Sequence, residues 1–153
     1  MTQDQLREWN ECACVWRCLI KLANMNGNPI DRDQFAARFE EAFPNRRISD
    51  GSFDPELLSS VCRLLSLPDH CQMSDDYSVV ERDFNTNHRD ILVMSEIDLT
   101  PGHTNIGKHC SLLTNIDSES FCIWTPYQSG ADGPLNLERN IWTTKHCFGV
   151  ALF

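Results

Sequence analysis

The spacing of apolar residues changes halfway along the chain, and this change limits the folds that the chain can adopt. Between residues 10 and 65 the apolar side chains recur at helical spacing, in segments that begin at polar capping residues. From residue 90 onward they form short runs separated by turn residues, which is typical of strands and hairpins. The sequence therefore predicts an α+β fold, with N-terminal helices packed on a C-terminal antiparallel sheet in one domain spanning residues 1–153.

Capping residues predict where the helices begin and end. The first helix is predicted to begin at Asn10 and to end before Gly27, with a largely buried apolar side. The second begins at Asp31, and the third begins at Asp54, where Pro55 occupies the first helical position.

The second half of the chain predicts four strands. A buried strand and a final strand enclose a hairpin whose turn lies at residues 117–119, and a loop spans 126–134. The predicted strands are 90–97, 108–116, 120–125 and 145–153.

Charge and composition restrict the class of partner. The formal net charge is −9, which disfavours nucleic acids and anionic membranes because both bind surplus Lys and Arg. No apolar run is long enough to span a bilayer, and residues 1–11 lack the pattern of a signal peptide. We therefore expect a soluble protein that is cytoplasmic or exported without a cleaved signal, whose partner is a protein or peptide. No cofactor is predicted, and the oligomeric state is left open.

Eight cysteines are a high number for 153 residues. A disulfide framework is usual in short secreted chains, and zinc sites usually contain Cys-x-x-Cys pairs, which this sequence lacks. We therefore predict reduced thiols and no metal site, with both alternatives kept open. Five cysteines in apolar runs are expected to be small buried hydrophobes: Cys18, Cys62, Cys110, Cys122 and Cys147.

Cys14 and His109 are the residues most suited to chemistry. Cys14 lies near the start of the first predicted helix, where backbone N–H groups and the helix dipole stabilise a thiolate. His109 lies near the start of an apolar strand, after a glycine-bearing loop. A histidine from another element can activate such a thiol, so we expect the two side chains to lie side by side in one cleft.

Two segments resemble the bacteriocin-processing peptidases of the papain-like superfamily. The segment from Cys14 to Gly27 is similar to the family's first helix, which begins with the nucleophilic cysteine and ends on glycine. Residues 109–116 are similar to its histidine strand, and residues 121–126 to its next strand. The Josephin family and papain-like glutamine deamidase effectors have a similar layout. The resemblance implies a cysteine hydrolase in which Cys14 attacks and His109 moves the proton.

The sequence departs from that family at two positions. Thr125 stands where the family has the Asp or Asn that orients the histidine, and Gln128 is an alternative for this role. Glu8 stands where the family has its oxyanion glutamine, although a carboxylate repels a developing oxyanion. Asn10 and Gln5 are the candidate donors in its place.

Several alternatives remain open from the sequence. Cys12 is an alternative nucleophile, and His146, predicted at the start of the final strand, is an alternative base. The hydrolase is either a peptidase or a glutamine deamidase. The alternatives from other classes are a catalytically degenerate papain-like protein-binding module and a zinc-binding interaction domain.

Overall fold

The computed structural model divides the chain into two compact units, and it confirms the α+β class. The helical unit spans Met1–Asp69 and the sheet unit spans His70–Phe153. The described residues are 1–51, 54–97, 99, 106–126 and 133–153.

Four α-helices lie in the described residues of the helical unit. Side chains of Asp31 and Asp54 cap α3 and α4, as predicted, by accepting from backbone N–H groups of the first turn. The longest helix in the described part of the chain has 12 residues, and none there is long and apolar enough to cross a membrane. The helices are α1 (Gln3–Cys12), α2 (Cys14–Met25), α3 (Arg32–Ala42) and α4 (Pro55–Leu64), with a 3-10 turn at Ile48–Gly51.

The first predicted helix is in fact two helices. Thr2, and not Asn10, provides the N-cap of α1, and Asn10 is an exposed residue inside that helix. Ala13 interrupts the helical path with φ −103° and ψ 25°, so that α2 begins at Cys14. The cap prediction was wrong because α1 is mostly polar. Its residues lack the regular apolar spacing that would have indicated a helix before Asn10. The predicted end is confirmed, because Gly27 follows α2 with φ +83°.

An aromatic cluster fixes the junction between α1 and α2. Trp9 from α1 and Trp16 from α2 both contact Phe35 of α3, with ring centroids 5.9 and 6.3 Å apart. The Trp16 indole Nε1 also donates a hydrogen bond to the backbone oxygen of Ile48, at 2.8 Å. Along the chain, Cys14 therefore lies between two tryptophans that are anchored in the helical unit.

The sheet unit contains a six-stranded sheet within its described residues, antiparallel throughout, in the order β1-β6-β2-β3-β4-β5. Two helices accompany it, α5 (Tyr77–Asn85) and α6 (Arg139–Thr144). The strands are β1 (Cys71–Ser74), β2 (Asp90–Ile97), β3 (Ile106–Ile116), β4 (Ser120–Thr125), β5 (Gly133–Glu138) and β6 (Phe148–Leu152).

The prediction for the sheet unit is partly correct. The elements β2 and β4 have the predicted bounds, and β3 begins two residues earlier than predicted. Helices α5 and α6 and strands β1 and β5 were not predicted. The final strand begins at Phe148, and His146 precedes it in a turn with φ +48°, so its predicted place on that strand was wrong. Residues 127–132 of the predicted loop lie outside the described part of the chain.

One face of the sheet carries the apolar core of this unit. Strand alternation places Val93 of β2, Leu113 of β3 and Ile123 of β4 on this face, and they pack in one cluster with α5 and α6. The helix α5 approaches closely, since a Cβ atom added at Gly149 would lie 2.8 Å from Val80 Cγ2. The same alternation places the odd-numbered residues at the other end of β3, including His109, on this face.

Candidate active site

His109 and Thr125 are in direct contact inside the sheet unit. The ring Nε2 of His109 lies 2.6 Å from the hydroxyl Oγ1 of Thr125. Both residues are buried, with 8% and 0% of their surface exposed. This is the contact that the predicted orienting role of Thr125 requires, and the role itself stays a prediction.

The pairing of β3 with β4 explains why the two side chains meet. Leu112 lies opposite Trp124, and Leu113 lies opposite Ile123. Continuing this register one residue further places Ser111 opposite Thr125, and His109 is two residues along on the same face. Such diagonal neighbours are close enough for a ring to reach a hydroxyl on the adjacent strand.

Four buried polar residues lie together on this part of the sheet face. Three of them carry an uncharged hydroxyl, and the fourth is His109. Ser95 of β2 lies opposite His109, and Ser111 of β3 lies between His109 and Leu113. All four are almost fully buried: Ser95, His109, Ser111 and Thr125. Ser95 and Ser111 were not predicted as site residues. The available signal was polar residues at alternate positions 109 and 111 of an otherwise apolar strand.

The Thr125 hydroxyl can act in two ways. It has one hydrogen and two lone pairs, so it can donate to a neutral ring nitrogen or accept from an N–H. Its backbone neighbour offers a second acceptor, since Oγ1 lies 3.4 Å from the carbonyl oxygen of Pro126. Thr125 can therefore hold the ring orientation in either protonation state, although it supplies no charge to an imidazolium.

Cys14 and Cys12 occupy opposite helix ends. Cys14 is the first residue of α2 and is half-buried, whereas Cys12 is the last residue of α1 and is exposed. Backbone N–H groups at an amino-terminal end stabilise an anion, and carbonyl groups at a carboxyl-terminal end disfavour one. The helix break at Ala13 therefore favours Cys14 as the thiolate.

Glu8 is a buried carboxylate with a counter-ion. Its side chain is 10% exposed and pairs with the guanidinium of Arg47, which is 66% exposed. The ion pair offsets the negative charge that Glu8 would otherwise place in this part of the helical unit. Among the alternative donors, Asn10 is exposed, and the Gln5 side chain accepts from the backbone N–H of Thr2.

Three other predicted site residues are placed as follows, or lie outside the described residues. Gln128 lies outside the described residues. His146 is exposed in the turn after α6. Cys14 belongs to the helical unit and His109 to the sheet unit, so their pairing stays a prediction.

All eight cysteines are described, and each is a thiol. Cys18, Cys62, Cys110 and Cys147 are buried as predicted, whereas Cys122 is only half-buried. Burial raises the pKa of Cys147 to about 12, so this thiol resists ionisation at neutral pH. No group of three or more His, Cys, Asp or Glu side chains in the described part of the chain could hold a metal ion.

Comparisons with known proteins add no assignment. A scan against protein-family models finds no match, and no curated protein is significantly similar in sequence. Function is therefore inferred from the residues and contacts themselves.

Proposed function

We propose that the chain is a papain-like cysteine hydrolase that cleaves a peptide or side-chain amide of a protein substrate. Cys14 is the nucleophile, His109 is the general base and acid, and Thr125 orients the histidine ring. The observation that carries the proposal is the buried contact between His109 Nε2 and Thr125 Oγ1, at 2.6 Å. A histidine whose one nitrogen is held by a neighbour presents its other nitrogen in a fixed direction, as Cys-His catalysis requires.

The proposed reaction begins with the thiolate of Cys14 at the amino-terminal end of α2. Its sulfur attacks the amide carbonyl carbon, and the carbonyl oxygen becomes an oxyanion. The imidazolium of His109 gives its Nδ1 proton to the leaving nitrogen, and the C–N bond breaks to leave a thioester on Cys14. Water, deprotonated by the neutral ring, then hydrolyses the thioester and restores the thiolate.

Both substrate classes use this sequence of steps. With a peptide bond the leaving group is an amine, and with a glutamine side chain it is ammonia. The described residues favour neither class, so peptidase and glutamine deamidase remain the two forms of the proposal. Gln128 remains the alternative to Thr125 as orienting residue.

A protein-binding module without chemistry is the second candidate, and the pair of Glu8 with Arg47 favours it. A buried carboxylate stands where the resemblance implies an amide donor for the oxyanion, and the orienting position lacks a charge. In this case the papain-like scaffold would be kept for partner recognition alone.

A peptide probe with an epoxysuccinyl or vinyl sulfone group separates the two candidates, because such electrophiles react with activated cysteines. The hydrolase proposal predicts a covalent adduct that peptide mapping locates on Cys14. The adduct should form on Cys12→Ala and be lost from His109→Ala. Absence of an adduct on Cys14 in the folded wild-type protein contradicts the hydrolase and leaves the binding module.

A further inference from the structure

The hydroxyl of Ser111 is buried, and the proposed reaction gives it no role. Its residue is 1% exposed, and its Oγ has no hydrogen-bond partner among the described residues. Burying a hydroxyl without a partner is unfavourable, and such groups are rare in folded proteins. The neighbours of Ser111 therefore indicate what the hydroxyl is for.

The strand register points to the Thr125 hydroxyl as the candidate partner. The register of β3 with β4, continued from Leu112 opposite Trp124, places Ser111 directly opposite Thr125. Side chains of such opposed residues have Cβ atoms about 4.5–5.5 Å apart. Rotation about the Cα–Cβ bond of Ser111 is the movement that turns its Oγ towards Thr125.

The hydrogen of the Thr125 hydroxyl decides which nitrogen of His109 carries a proton. If the hydroxyl donates to Nε2, the neutral ring must carry its hydrogen on Nδ1. If the hydroxyl hydrogen goes to another acceptor, Oγ1 accepts from Nε2–H, and Nδ1 keeps the lone pair that a general base needs. The carbonyl oxygen of Pro126 is one such acceptor, but at 3.4 Å it is far beyond the usual 2.7–2.8 Å for this kind of bond.

We propose that Ser111 is a positioning residue that accepts the Thr125 hydroxyl hydrogen and so holds neutral His109 in its Nε2–H tautomer. In the structure Ser111 Oγ makes no such bond, so the proposed arrangement requires rotation of the Ser111 side chain. After that rotation, hydrogen bonds run from His109 Nε2–H to Thr125 Oγ1 and from the Thr125 hydroxyl to Ser111 Oγ. The use of this tautomer in activating Cys14 rests on the proposed function. The tautomer is measured on His109 itself, so testing it does not require a reactive Cys14.

Charged side chains on the neighbouring strand positions do not compete for this role. Lys108 and Glu96 adjoin His109 and its opposite residue Ser95, and both are exposed. Strand alternation directs them to the other face of the sheet. On the helices of the shared face, Asp83 pairs with Arg89 at the far end of β2.

Nitrogen-15 NMR of the labelled 153-residue chain tests the proposal without a substrate. Long-range proton–nitrogen correlations report which ring nitrogen carries the hydrogen, and His109→Gln assigns the His109 signals among the five histidines. At a pH where the ring of His109 is neutral, we expect the Nε2–H form to predominate. Ser111→Ala should lower the ratio of Nε2–H to Nδ1–H by roughly fivefold or more, the effect of one lost hydrogen bond.

Three comparisons distinguish positioning from a general structural effect. Ser111→Thr keeps the hydroxyl and should restore the wild-type ratio, and Cys110→Ala, which alters the adjacent buried residue on the other face, should leave it unchanged. Ser111→Cys keeps nearly the same shape, but its thiol accepts hydrogen bonds poorly. It gives the same test if Ser111→Ala does not fold. A wild-type ratio in Ser111→Ala or Ser111→Cys, or a predominant Nδ1–H form in the wild type, overturns the proposal. A shifted ratio together with a Cys14 that no probe labels supports it and rejects the proposed hydrolase.

Discussion

At the scale of single residues, the proposed role of Thr125 is to orient the ring of His109 without a charge. A carboxylate at this position would also stabilise the imidazolium, whereas a hydroxyl offers only a dipole. The two residues are buried, so water does not replace the missing charge. The strength of the proposed thiolate–imidazolium pair should therefore depend on what occupies position 125.

Substitutions at Thr125 test this dependence. Thr125→Val keeps the shape and removes the hydroxyl, so we expect the alkylation rate of Cys14 at pH 6 to fall, by up to the order of 10⁴ known for lost orienting groups. Thr125→Asp should raise that rate because it adds a charge beside the ring. Thr114→Val, at an exposed threonine of the same strand as His109, is the matched control and should change nothing.

A different result would move the orienting role to Gln128. In that case the Thr125 variants behave as wild type, and Gln128→Ala loses most of the alkylation rate. If none of these substitutions changes the alkylation rate of Cys14, the hydrolase is rejected and the binding module is the remaining candidate.

The ion pair of Glu8 with Arg47 permits a test of stability. Arg47→Ala leaves a buried carboxylate without its partner, so we expect a loss of roughly 1–3 kcal/mol in the free energy of unfolding measured with urea. In the Glu8→Gln background the same change should cost much less, because a neutral amide needs no counter-ion. Arg7→Ala, which breaks the exposed pair with Asp4, should stay within about 0.5 kcal/mol of wild type. Equal losses for Arg47→Ala in both backgrounds would contradict the pairing.

At the scale of elements, Tyr77 of α5 supports the hairpin that carries the contact. Its hydroxyl lies 2.7 Å from the carbonyl oxygen of Asp117 and 2.9 Å from that of Ser120, and its hydrogen can be donated to either. Asp117 lies in the turn between β3 and β4, and Ser120 is the first residue of β4. The guanidinium of Arg139 also lies 4.5 Å from the centre of the tyrosine ring. The turn is thereby anchored to α5 and to the first residue of α6.

The pH dependence of stability tests this anchor. Burial, followed by the negative charges of Asp117 and Glu81, raises the pKa of Tyr77 to about 12. In the unfolded chain a tyrosine ionises near pH 10, so the contribution of Tyr77 to stability is complete below pH 10 and is lost between about pH 10 and 12. Tyr77→Phe should cost about 1 kcal/mol at pH 7, and the difference from wild type should shrink through that window.

Unfolding measured with urea at pH 7, 10 and 11.5 gives the result. The control is the other tyrosine, because Tyr127→Phe retains Tyr77 and should keep the wild-type fall in stability. A constant difference between wild type and Tyr77→Phe across these pH values would mean that the hydroxyl is not buried in the way described.

Elements with strong local signals were predicted, and elements stabilised by distant contacts were not. The helices α3 and α4 have capping residues in the sequence, and β2 contains the continuous apolar run 91–94. By contrast, β1 has the sequence Cys-Gln-Met-Ser, and its pairing with the end of the chain on β6 is what makes it a strand. Such pairing has no signature within a short window of sequence.

At the scale of the whole molecule, the class of fold and the pairing of His109 with Thr125 were predicted from the sequence. The strand register that brings these two side chains together was not. His109 was predicted from its place at the start of an apolar strand and Thr125 from the resemblance, whereas their approach depends on a register that the sequence does not state. The break at Ala13 was missed, although it is what makes Cys14 the first residue of a helix. Ser95 and Ser111 were missed because a lone serine in a strand is ordinarily a packing residue.

The proposed hydrolase requires that Cys14 in one unit and His109 in the other form one catalytic pair. It makes a prediction about reactivity, because a thiolate held by an imidazolium reacts at a pH where ordinary thiols do not. The other seven cysteines provide internal standards, above all Cys147, whose pKa is raised to about 12 by burial.

The most direct measurement is the rate of iodoacetamide alkylation at each cysteine of the folded protein from pH 5 to pH 9, by mass spectrometry. In the wild type, Cys14 should be labelled well below pH 8 and ahead of the other seven cysteines. In His109→Ala its rate at pH 6 should fall by about tenfold or more, as expected when a thiol loses its charged partner. Uniform slow labelling, preferential labelling of Cys12, or a Cys14 rate that His109→Ala leaves unchanged would contradict the account.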